Sequence, residues 1–334
     1  MSTKDKEKKV FKKTKSSEEK PKKKIKKPKE KVEVEETEDD FFSSLIAIAK
    51  EKIEGVFVPA EGVGSLVEVD DWIPMPDPIC EVLGDLPGLP GGHIVEVLGL
   101  PDSGKTTICT HALIGAQMEN GVAVLLDSEH KYNIERAVAM GLNREKLIII
   151  PADTIEEAFD KFVGILKIIR SREGWMKRKV VVAWDSVGST PCENELNEKT
   201  KDHNMKAAQA IKAGLRRTRY FLRKTNASLL LINQVYDKQT KTPWEKKTRG
   251  CGGHGPEYFS SIRIECTRIG KVSRKKTVKR IDKEGNEVKK EISIVYGTKT
   301  LLECIKNHMA APFRKVEVEI DRKGIVFGGR KGEL

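Results

Sequence analysis

The sequence predicts an α/β protein with a mostly parallel sheet covered by helices on both faces, followed by a strand-rich C-terminal part. The first observation is a series of near-continuous apolar runs, which are typical of strands buried on both sides. These runs lie at 122–127, 147–150, 179–185 and 228–233. The second observation is that helical patterns separate them, near 133–141, 155–172 and 205–225, as expected for βαβ units. Three later strands are predicted at 262–266, 291–296 and 316–320.

The chain begins with a Lys-rich segment, residues 1–38, that has almost no large apolar side chains. Residues 1–31 carry fifteen lysines against five acidic residues, so most of the formal net charge of +12 belongs to this tail. Such a composition cannot bury enough apolar surface to offset the entropy of ordering, which predicts disorder. The tail could contact phosphate backbones non-specifically, or it could serve only to keep the protein in solution.

Residues 39–75 predict a small N-terminal element. Apolar side chains from Phe41 to Ile53 recur at helical spacing and predict an amphipathic helix that ends near Glu54. Short extended pieces follow at 57–60 and 64–69, and the prolines from Pro74 to Pro90 predict a linker. A helix with one apolar stripe must pack on its own core or on a neighbour.

Composition excludes several classes of protein. The hydrophobic content of 38% supports a sizeable core, yet no apolar run approaches the roughly 20 residues needed to cross a bilayer. The N-terminus has no apolar segment typical of a secretory signal. Six scattered cysteines without Cys-x-x-Cys spacing argue against zinc and disulfide frameworks. We therefore expect a cytoplasmic protein without a membrane partner.

The strongest motif is Gly99-Leu-Pro-Asp-Ser-Gly-Lys-Thr106, which has the pattern Gly, four residues, Gly-Lys-Thr. A predicted strand at 93–98 precedes it and a predicted helix at 107–117 follows it. Glycines let backbone N–H groups surround an anion, and the helix N-terminus adds positive potential. The sequence thus predicts ATP and Mg²⁺ as ligands, because Lys105 would reach the β- and γ-phosphates and Thr106 would hold the metal. The alternative is a Gly-rich turn without function. The predicted nucleotide contacts are Gly99, Pro101, Asp102, Ser103, Gly104, Lys105, Thr106 and Thr107.

Polar residues at the ends of other predicted strands complete a catalytic hypothesis. Asp185 ends the most apolar strand and could join Thr106 in the metal site. Glu129 could polarise the attacking water, although the cluster 127–130 could instead cap a helix. Gln234 could sense the γ-phosphate, although a polar strand end is equally common.

A long basic loop, 235–253, follows Gln234. Its aromatic residues stand among lysines and its end is rich in glycine, a composition that suits single-stranded DNA, where bases stack and phosphates pair. A solvated loop is the alternative. The predicted DNA contacts are Tyr236, Lys238, Lys241, Trp244, Lys246, Lys247, Arg249, Gly252 and Gly253.

The succession of these motifs resembles the RecA recombinases. In order they are 92–96, 99–107, 127–130, 185–187, 232–234, 252–253 and Lys306-Asn-His-Met-Ala-Ala-Pro-Phe313, spread over roughly residues 60 to 330. The Asn-Gln, Gly-Gly and Lys-Asn-x-x-Ala-Ala-Pro-Phe elements separate the chain from helicases that share only the phosphate loop. The resemblance implies a RecA-like ATPase core over 76–334. It also implies a homo-oligomeric helical filament that pairs single-stranded DNA with homologous duplex.

The resemblance also implies roles for individual residues. A first DNA loop would span about 194–205, with Met205 as a possible wedge between bases, and the second would span about 235–253. Lys306 and His308 would approach the γ-phosphate bound by a neighbouring subunit. Tyr258 would lie at the same subunit interface.

Within the N-terminal element, the helix would dock on the adjacent subunit. The strand that joins subunits would be either 64–67, as in bacterial relatives, or 57–60, which has the Phe-x-x-Ala pattern of archaeal and eukaryotic ones.

Four departures from the family pattern stand out. His308 replaces a usual lysine. Asn133 and Arg136 replace an acid and an adenine-stacking tyrosine, although a guanidinium can also stack on a base. Residues 271–295 predict an unusually long basic hairpin, with its turn at 282–286, that could add a duplex contact. The chain stops where a bacterial C-terminal domain would begin, so we expect a divergent recombinase, of viral type.

Two other functions remain open at this point. One is a helicase or packaging motor on the RecA fold, which directional unwinding would reveal. The other is an ATP-switched mediator that binds DNA without strand exchange, which slow turnover with tight assembly would favour.

Overall fold

The computed structural model describes residues 38–52, 69, 71–172, 177–196, 203–237, 248–281 and 287–326. The chain forms two compact units, residues 1–65 and 66–334. In the first unit the predicted helix is present as α1 (Glu38–Lys52). The Lys-rich tail and both candidate intersubunit strands, 57–60 and 64–67, lie outside the described residues. None of the described helices is long and apolar enough to span a membrane.

The second unit contains a ten-stranded sheet, with strand order β12-β11-β10-β9-β3-β7-β6-β4-β5 and β8 paired to β7, and a separate β1–β2 pair. In chain order its elements are β1 (Trp72–Pro74), α2 (Asp77–Val82), β2 (Gly88–Pro90), β3 (Ile94–Gly99), α3 (Lys105–Met118), β4 (Val122–Asp127), α4 (Ile134–Ala139), a 3₁₀ turn (Arg144–Lys146), β5 (Leu147–Pro151), α5 (Ile155–Arg170), β6 (Val180–Asp185), α6 (Glu193–Leu196), α7 (His203–Thr225), β7 (Ser228–Asp237), β8 (Thr248–Gly250), α8 (Gly255–Phe259), β9 (Ile262–Ile281), β10 (Glu287–Asn307), β11 (Lys315–Asp321) and β12 (Gly324–Val326).

The central strands are parallel and buried on both faces, as predicted. Strand β6 shows why its sequence is continuously apolar: Val181 packs into one core and Val182 into the other. The first core includes Ile108 of α3, and the second includes Phe162 of α5. Because successive side chains of a strand point to opposite faces, a sheet covered on both sides requires an apolar residue at nearly every position.

The strand-rich C-terminal part is also present. Strand β9 is parallel to β3, whereas β10, β11 and β12 add antiparallel ladders in succession. The β9–β10 ladder runs from Ile262↔Asn307 to Ile281↔Glu287 and forms the arms of the predicted basic hairpin. The predicted turn at 282–286 lies outside the described residues.

The prediction of a linker between Pro74 and Pro90 is wrong. This segment forms β1, α2 and β2, and Ile73, Ile79 and Leu89 are fully buried in the core that contains α3. Its prolines lie at strand ends and in the first turn of α2, where the missing N–H has no intrahelical partner to lose. Prolines therefore punctuate short packed elements here.

Candidate functional site

The phosphate loop connects the end of β3 to the start of α3. Gly104 has φ 94°, a left-handed conformation that favours glycine. A Cβ atom at this position would lie 2.3 Å from Ile320 Cδ1 on β11, so the Ile320 side chain would have to shift. The loop residues from Asp102 to Thr107 line a cavity of ≈ 220 Å³ together with Arg136, Thr298 and Ile320.

The side chains of this loop have the chemistry of an anion cradle. Lys105 is buried, and its Nζ donates to the carbonyl oxygens of Gly99 (2.9 Å) and Leu100 (2.8 Å). Burial lowers the pKa of Lys105, and the carboxylates of Asp185 and Glu129 are among the groups that oppose this shift. Within the described part of the chain, the buried Ser103 hydroxyl has no hydrogen-bond partner. A phosphate oxygen would supply the missing acceptor, so this loop suits a polyphosphate.

Thr106 and Asp185 meet at the mouth of the loop, as predicted for the metal site. The Thr106 hydroxyl donates to Asp185 Oδ2 over 2.8 Å. Burial raises the pKa of Asp185 to about 6 against the opposing effect of this hydrogen bond. A hydroxyl and a carboxylate oxygen are ligands of the hard type that Mg²⁺ prefers, so the pair suits a magnesium ion bridging to phosphate.

Glu129 lies two residues after β4, where its Oε1 accepts three hydrogen bonds. The donors are the hydroxyls of Ser186 (2.5 Å) and Ser189 (2.7 Å) and the side-chain amide of Gln234 (3.0 Å). Partial burial acts to raise the pKa of Glu129, but the three hydrogen bonds outweigh it, so the pKa lies below its usual value. The structure thus brings together Glu129 and Gln234, which the sequence analysis identified separately. It also adds Ser186 and Ser189, which the sequence analysis did not identify as site residues.

Arg136 reaches the nucleotide cavity, whereas Asn133 has a local role. One guanidinium nitrogen of Arg136, Nη2, lies 3.0 Å from Thr107 Oγ1 and 3.3 Å from the Asp321 carbonyl oxygen. Asn133 is exposed and caps α4, since its side-chain oxygen accepts from the Arg136 backbone N–H. A contact between Asn133 and a nucleotide remains a prediction.

The first predicted DNA loop is shorter than expected. Of the predicted span 194–205, residues up to Leu196 belong to α6 and residues from His203 belong to α7, while 197–202 lie outside the described residues. Met205 therefore lies in the first turn of a long helix, where its side chain is exposed. The predicted loop was too long at both ends, because α6 extends to Leu196 and α7 begins at His203.

The second predicted DNA loop is not structureless at its base. Strand β7 continues to Asp237, and β8 pairs with it antiparallel, with Tyr236 opposite Arg249. Tyr236 is exposed. Gly252 and Gly253 have φ angles of 81° and 69°, so this turn requires residues without a Cβ. Five of the predicted DNA contacts lie outside the described residues: Lys238, Lys241, Trp244, Lys246 and Lys247.

A buried ionic network beneath this loop was missed by the sequence analysis. Glu96 is fully buried in β3, where it accepts from Arg263 Nε (2.6 Å) and from Asn233 Nδ2 (2.7 Å). Asn233 Nδ2 also donates to the Cys251 carbonyl oxygen at the glycine turn. The available signal in the sequence was a charged residue within each of two apolar strands, Glu96 in β3 and Arg263 in β9. The structure shows that these two residues are in register.

Lys306, His308 and Tyr258 lie away from the phosphate loop of their own chain. The parallel strands place Gly99, Asp185 and Gln234 at the carboxyl edge of the sheet. His308 lies beyond the opposite, amino edge, where its backbone N–H donates to the Ser261 carbonyl oxygen just before β9. Lys306 Nζ donates to the Glu257 carbonyl oxygen over 2.7 Å. Tyr258, in α8, is exposed.

More cations surround His308 than the sequence suggested. Partial burial, Lys306 and Arg219 all lower the pKa of His308. The pKa of neighbouring His93 is lowered by burial and then by Arg219, Arg223 and His308. Positive neighbours favour the neutral form of each histidine, and an anion bound beside them would offset this effect.

Comparison with known proteins gives one family and several relatives. The RecA N-terminal domain family matches residues 79–326. The RecA protein of Treponema denticola is 30% identical over 241 residues, which cover 72% of this chain and 52% of that protein. The RecA protein of Mycoplasma mobile is 31% identical over 70% of this chain and 63% of that protein. For the RecA protein of Aquifex aeolicus the identity is 30%, over 83% of this chain and 72% of that protein. The chain therefore spans between about half and two thirds of the first two relatives.

Proposed function

Because the chain belongs to the RecA family, we propose that it is an ATP-dependent recombinase that assembles on single-stranded DNA and catalyses homologous pairing and strand exchange. The observation that carries this proposal is the contact between Glu129 and Gln234 beside the phosphate loop. It joins a candidate catalytic carboxylate to the strand that leads into the second DNA loop. This hydrogen bond would therefore couple the nucleotide bound at the phosphate loop to the DNA bound by the second loop.

The residues of the carboxyl edge have distinct tasks in this proposal. Bound MgATP supplies a γ-phosphoryl group whose oxygens the metal partly neutralises. With the nucleotide bound, Lys105 would exchange the carbonyl oxygens of its own loop for phosphate oxygens, and Thr106 and Asp185 would hold the metal through their side-chain oxygen atoms. Glu129 orients a water molecule and accepts its proton, a step that requires at least part of its present hydrogen bonding to loosen.

Gln234 acts as the sensor in this scheme. Its amide has two N–H hydrogens, of which one donates to Glu129. We infer that donation to a phosphate oxygen would turn the amide and weaken its hydrogen bond to Glu129. The backbone of Gln234 is also tied to the loop, since its carbonyl oxygen accepts from the Cys251 N–H. A shift of Gln234 would thereby reach Gly252 and Gly253, which belong to the predicted DNA surface.

The separation of the two edges supports a filament. Lys306 and His308 lie toward one edge of the sheet and the phosphate loop lies at the other, so stacking of identical copies can bring the cations of one against the nucleotide of the next. A head-to-tail contact of this kind generates an open helical assembly unless its rotation closes a ring. Tyr258 and the first-unit helix would add to this interface.

Strand exchange is the test of the proposed function. The protein would be mixed with ATP, Mg²⁺, a labelled single strand and either homologous or heterologous duplex, at fixed salt. We expect joint molecules only with homologous duplex and ATP. Directional unwinding without joint molecules would replace the proposal by a motor. Tight ATP-dependent DNA binding with neither activity would replace it by a mediator.

A further inference from the structure

The β9–β10 hairpin extends beyond the sheet as an isolated ribbon. Strand β9 pairs with β3 only as far as Cys266, and β10 pairs with β11 only from Thr298 onward. From Val272↔Gly297 to Ile281↔Glu287, the two strands pair with each other alone among the described residues. Ten rungs of this ladder correspond to about 30 Å of ribbon. Because an isolated two-stranded ribbon is only marginally stable in water, this ribbon would gain stability from a binding partner.

The base of the ribbon fixes its direction. Gly99 is in register with Cys266 on the parallel strand β9, so β9 runs on past the phosphate-loop edge of the sheet. Thr298, at the base on β10, lines the nucleotide cavity. A β-bulge between Val295 and Gly297 marks the point where the ribbon leaves β11. The ribbon therefore projects from the edge at which Gln234, before the second DNA loop, also lies.

Positive charge is concentrated in this hairpin. Residues 271–295 carry nine basic and four acidic side chains, a formal net charge of +5. Apart from this hairpin and residues 1–31, the remainder of the chain has a formal net charge of −3. The folded body is thus slightly acidic, and the ribbon is a local basic surface upon it.

The two faces of the ribbon differ. Arg274 and Lys276 share one face with Ile294 and Ile292, which lie opposite them. From rung 273 to rung 277, where the side chains of both strands are described, this face has two basic and no acidic positions. We name it the basic face.

The second face is nearly balanced in charge. It has one lysine and one glutamate over the same rungs. On this face Lys275 forms an ion pair with Glu291 (3.3 Å).

We propose that the basic face of this ribbon binds the phosphate backbone of duplex DNA. A two-stranded ribbon has dimensions that the major groove accepts, and a length of about 30 Å approaches one turn of the duplex. The inference rests on the proposed function, since it adds a duplex contact to a DNA recombinase.

A duplex suits the basic face better than a single strand. Proteins that hold single strands offer aromatic rings on which bases stack. Among the described residues of the ribbon, Tyr296 has an aromatic ring. The Arg274 guanidinium already covers this ring and lies 4.6 Å from its centroid. What the face offers is cations without competing carboxylates, which recognise phosphates whatever the sequence.

The test compares two double variants of the full chain that lose the same charge from opposite faces. Arg274→Gln with Lys276→Gln removes two cations from the basic face, and Lys275→Gln with Lys271→Gln, two positions that alternate with them along β9, removes two from the other. Binding to a labelled 30-base-pair duplex and to a 30-nucleotide single strand would be measured by fluorescence anisotropy across a salt series. Single-strand-stimulated ATP turnover would be measured in parallel.

We expect the basic-face variant to lose on the order of tenfold in duplex affinity, with a salt slope shallower by about 2. Its single-strand binding and ATP turnover should stay within about twofold of the parent, and the control variant should stay within about threefold for the duplex. Equal losses in both variants, or equal losses for duplex and single strand, would overturn the inference. A parent protein without ATP-dependent single-strand binding would instead overturn the proposed function.

Discussion

The carboxyl and amino edges of the sheet hold their charged residues in different ways. At the carboxyl edge the Thr106 hydroxyl bonds Asp185, and three donors converge on one oxygen of Glu129. Toward the amino edge, His308 lies near Lys306 and Arg219, and these cations lower its pKa. The first arrangement is prepared to bind and position a ligand. The arrangement at the amino edge brings together positive side chains that lie away from the phosphate loop of their own chain.

The difference shows how, in the proposed filament, a single chain would carry two halves of one site. Hydrogen bonds between strands of the same sheet fix the carboxyl edge, because Asp127 is in register with Asp185 and Gly99 is in register with Gln234. In the proposed filament, the cations at the opposite edge would gain a phosphate partner from the nucleotide of another copy. Substitutions at the two edges should therefore differ in whether a second, intact copy can compensate for them.

The largest expected effect comes from removing the cation of the carboxyl edge. Lys105→Ala deletes a buried donor to phosphate, so we expect ATP turnover to fall by on the order of a thousandfold and strand exchange to disappear. ATP hydrolysis with saturating single strand would measure the loss. Lys146→Ala, an exposed lysine of the 3₁₀ turn, is the control and should retain parental turnover. Retention of a tenth of the turnover by Lys105→Ala would contradict the assignment.

Glu129→Gln should separate binding from chemistry at the same edge. Glutamine keeps an oxygen that can accept from Ser186, Ser189 and Gln234, but it cannot take a proton from water. We expect turnover to fall by on the order of a hundredfold or more, while ATP and single-strand binding change little. Hydrolysis rates and the lifetime of the DNA complex would be compared with Glu135→Gln, an exposed acid on α4. Parental turnover by Glu129→Gln would sink its role as the base.

The two edges also differ in how far the sequence could predict them. The phosphate loop was predictable because its residues are contiguous and its flanks, β3 and α3, are local. The contact between Glu129 and Gln234 was not, since it joins residues 105 apart and depends on the strand order of the sheet. The cluster of His93, Arg219 and His308 likewise exists only after α7 and β10 have packed.

Two errors in the predicted fold have physical causes of the same kind. The segment from Pro74 to Pro90 was interpreted as a linker because prolines end short strands as well as marking loops, and its burial against α3 is a tertiary effect. The base of the second DNA loop was interpreted as structureless because β8 has only three residues. A strand of that length has no periodicity of its own, and its pairing with β7 defines it.

A mixing experiment sharpens the comparison between the edges. Lys306→Ala removes a cation that we assign to the neighbour's nucleotide, so we expect turnover to fall by about tenfold to a hundredfold. In an equal mixture of Lys306→Ala and Lys105→Ala chains, roughly one interface in four combines an intact phosphate loop with an intact Lys306. Turnover of the mixture should then approach a quarter of the parental value. If the mixture is no more active than the Lys306→Ala protein at the same total concentration, Lys306 acts within its own chain and not on the neighbour's nucleotide.

The smallest expected effect concerns His308 and has a defined pH dependence. Burial, Lys306 and Arg219 lower the pKa of His308 below its usual value of 6.5, so its imidazole is neutral at pH 7 and gains charge only in more acidic solution. Because a charged group is favoured beside phosphate, the share of turnover that depends on His308 should rise as pH falls from 8 to 6. In His308→Lys the cation is present throughout this range.

We therefore expect His308→Lys to exceed the parent by a few-fold at pH 8 and by a smaller factor at pH 6. Single-strand-stimulated ATP turnover at constant ionic strength would measure both profiles. His254→Lys, at an exposed histidine of the glycine turn, is the matched control for added charge and should keep the slope of the parental profile. Parallel profiles for the parent and His308→Lys would show that position 308 does not meet the neighbour's phosphates, and the amino edge would then act through Lys306 alone.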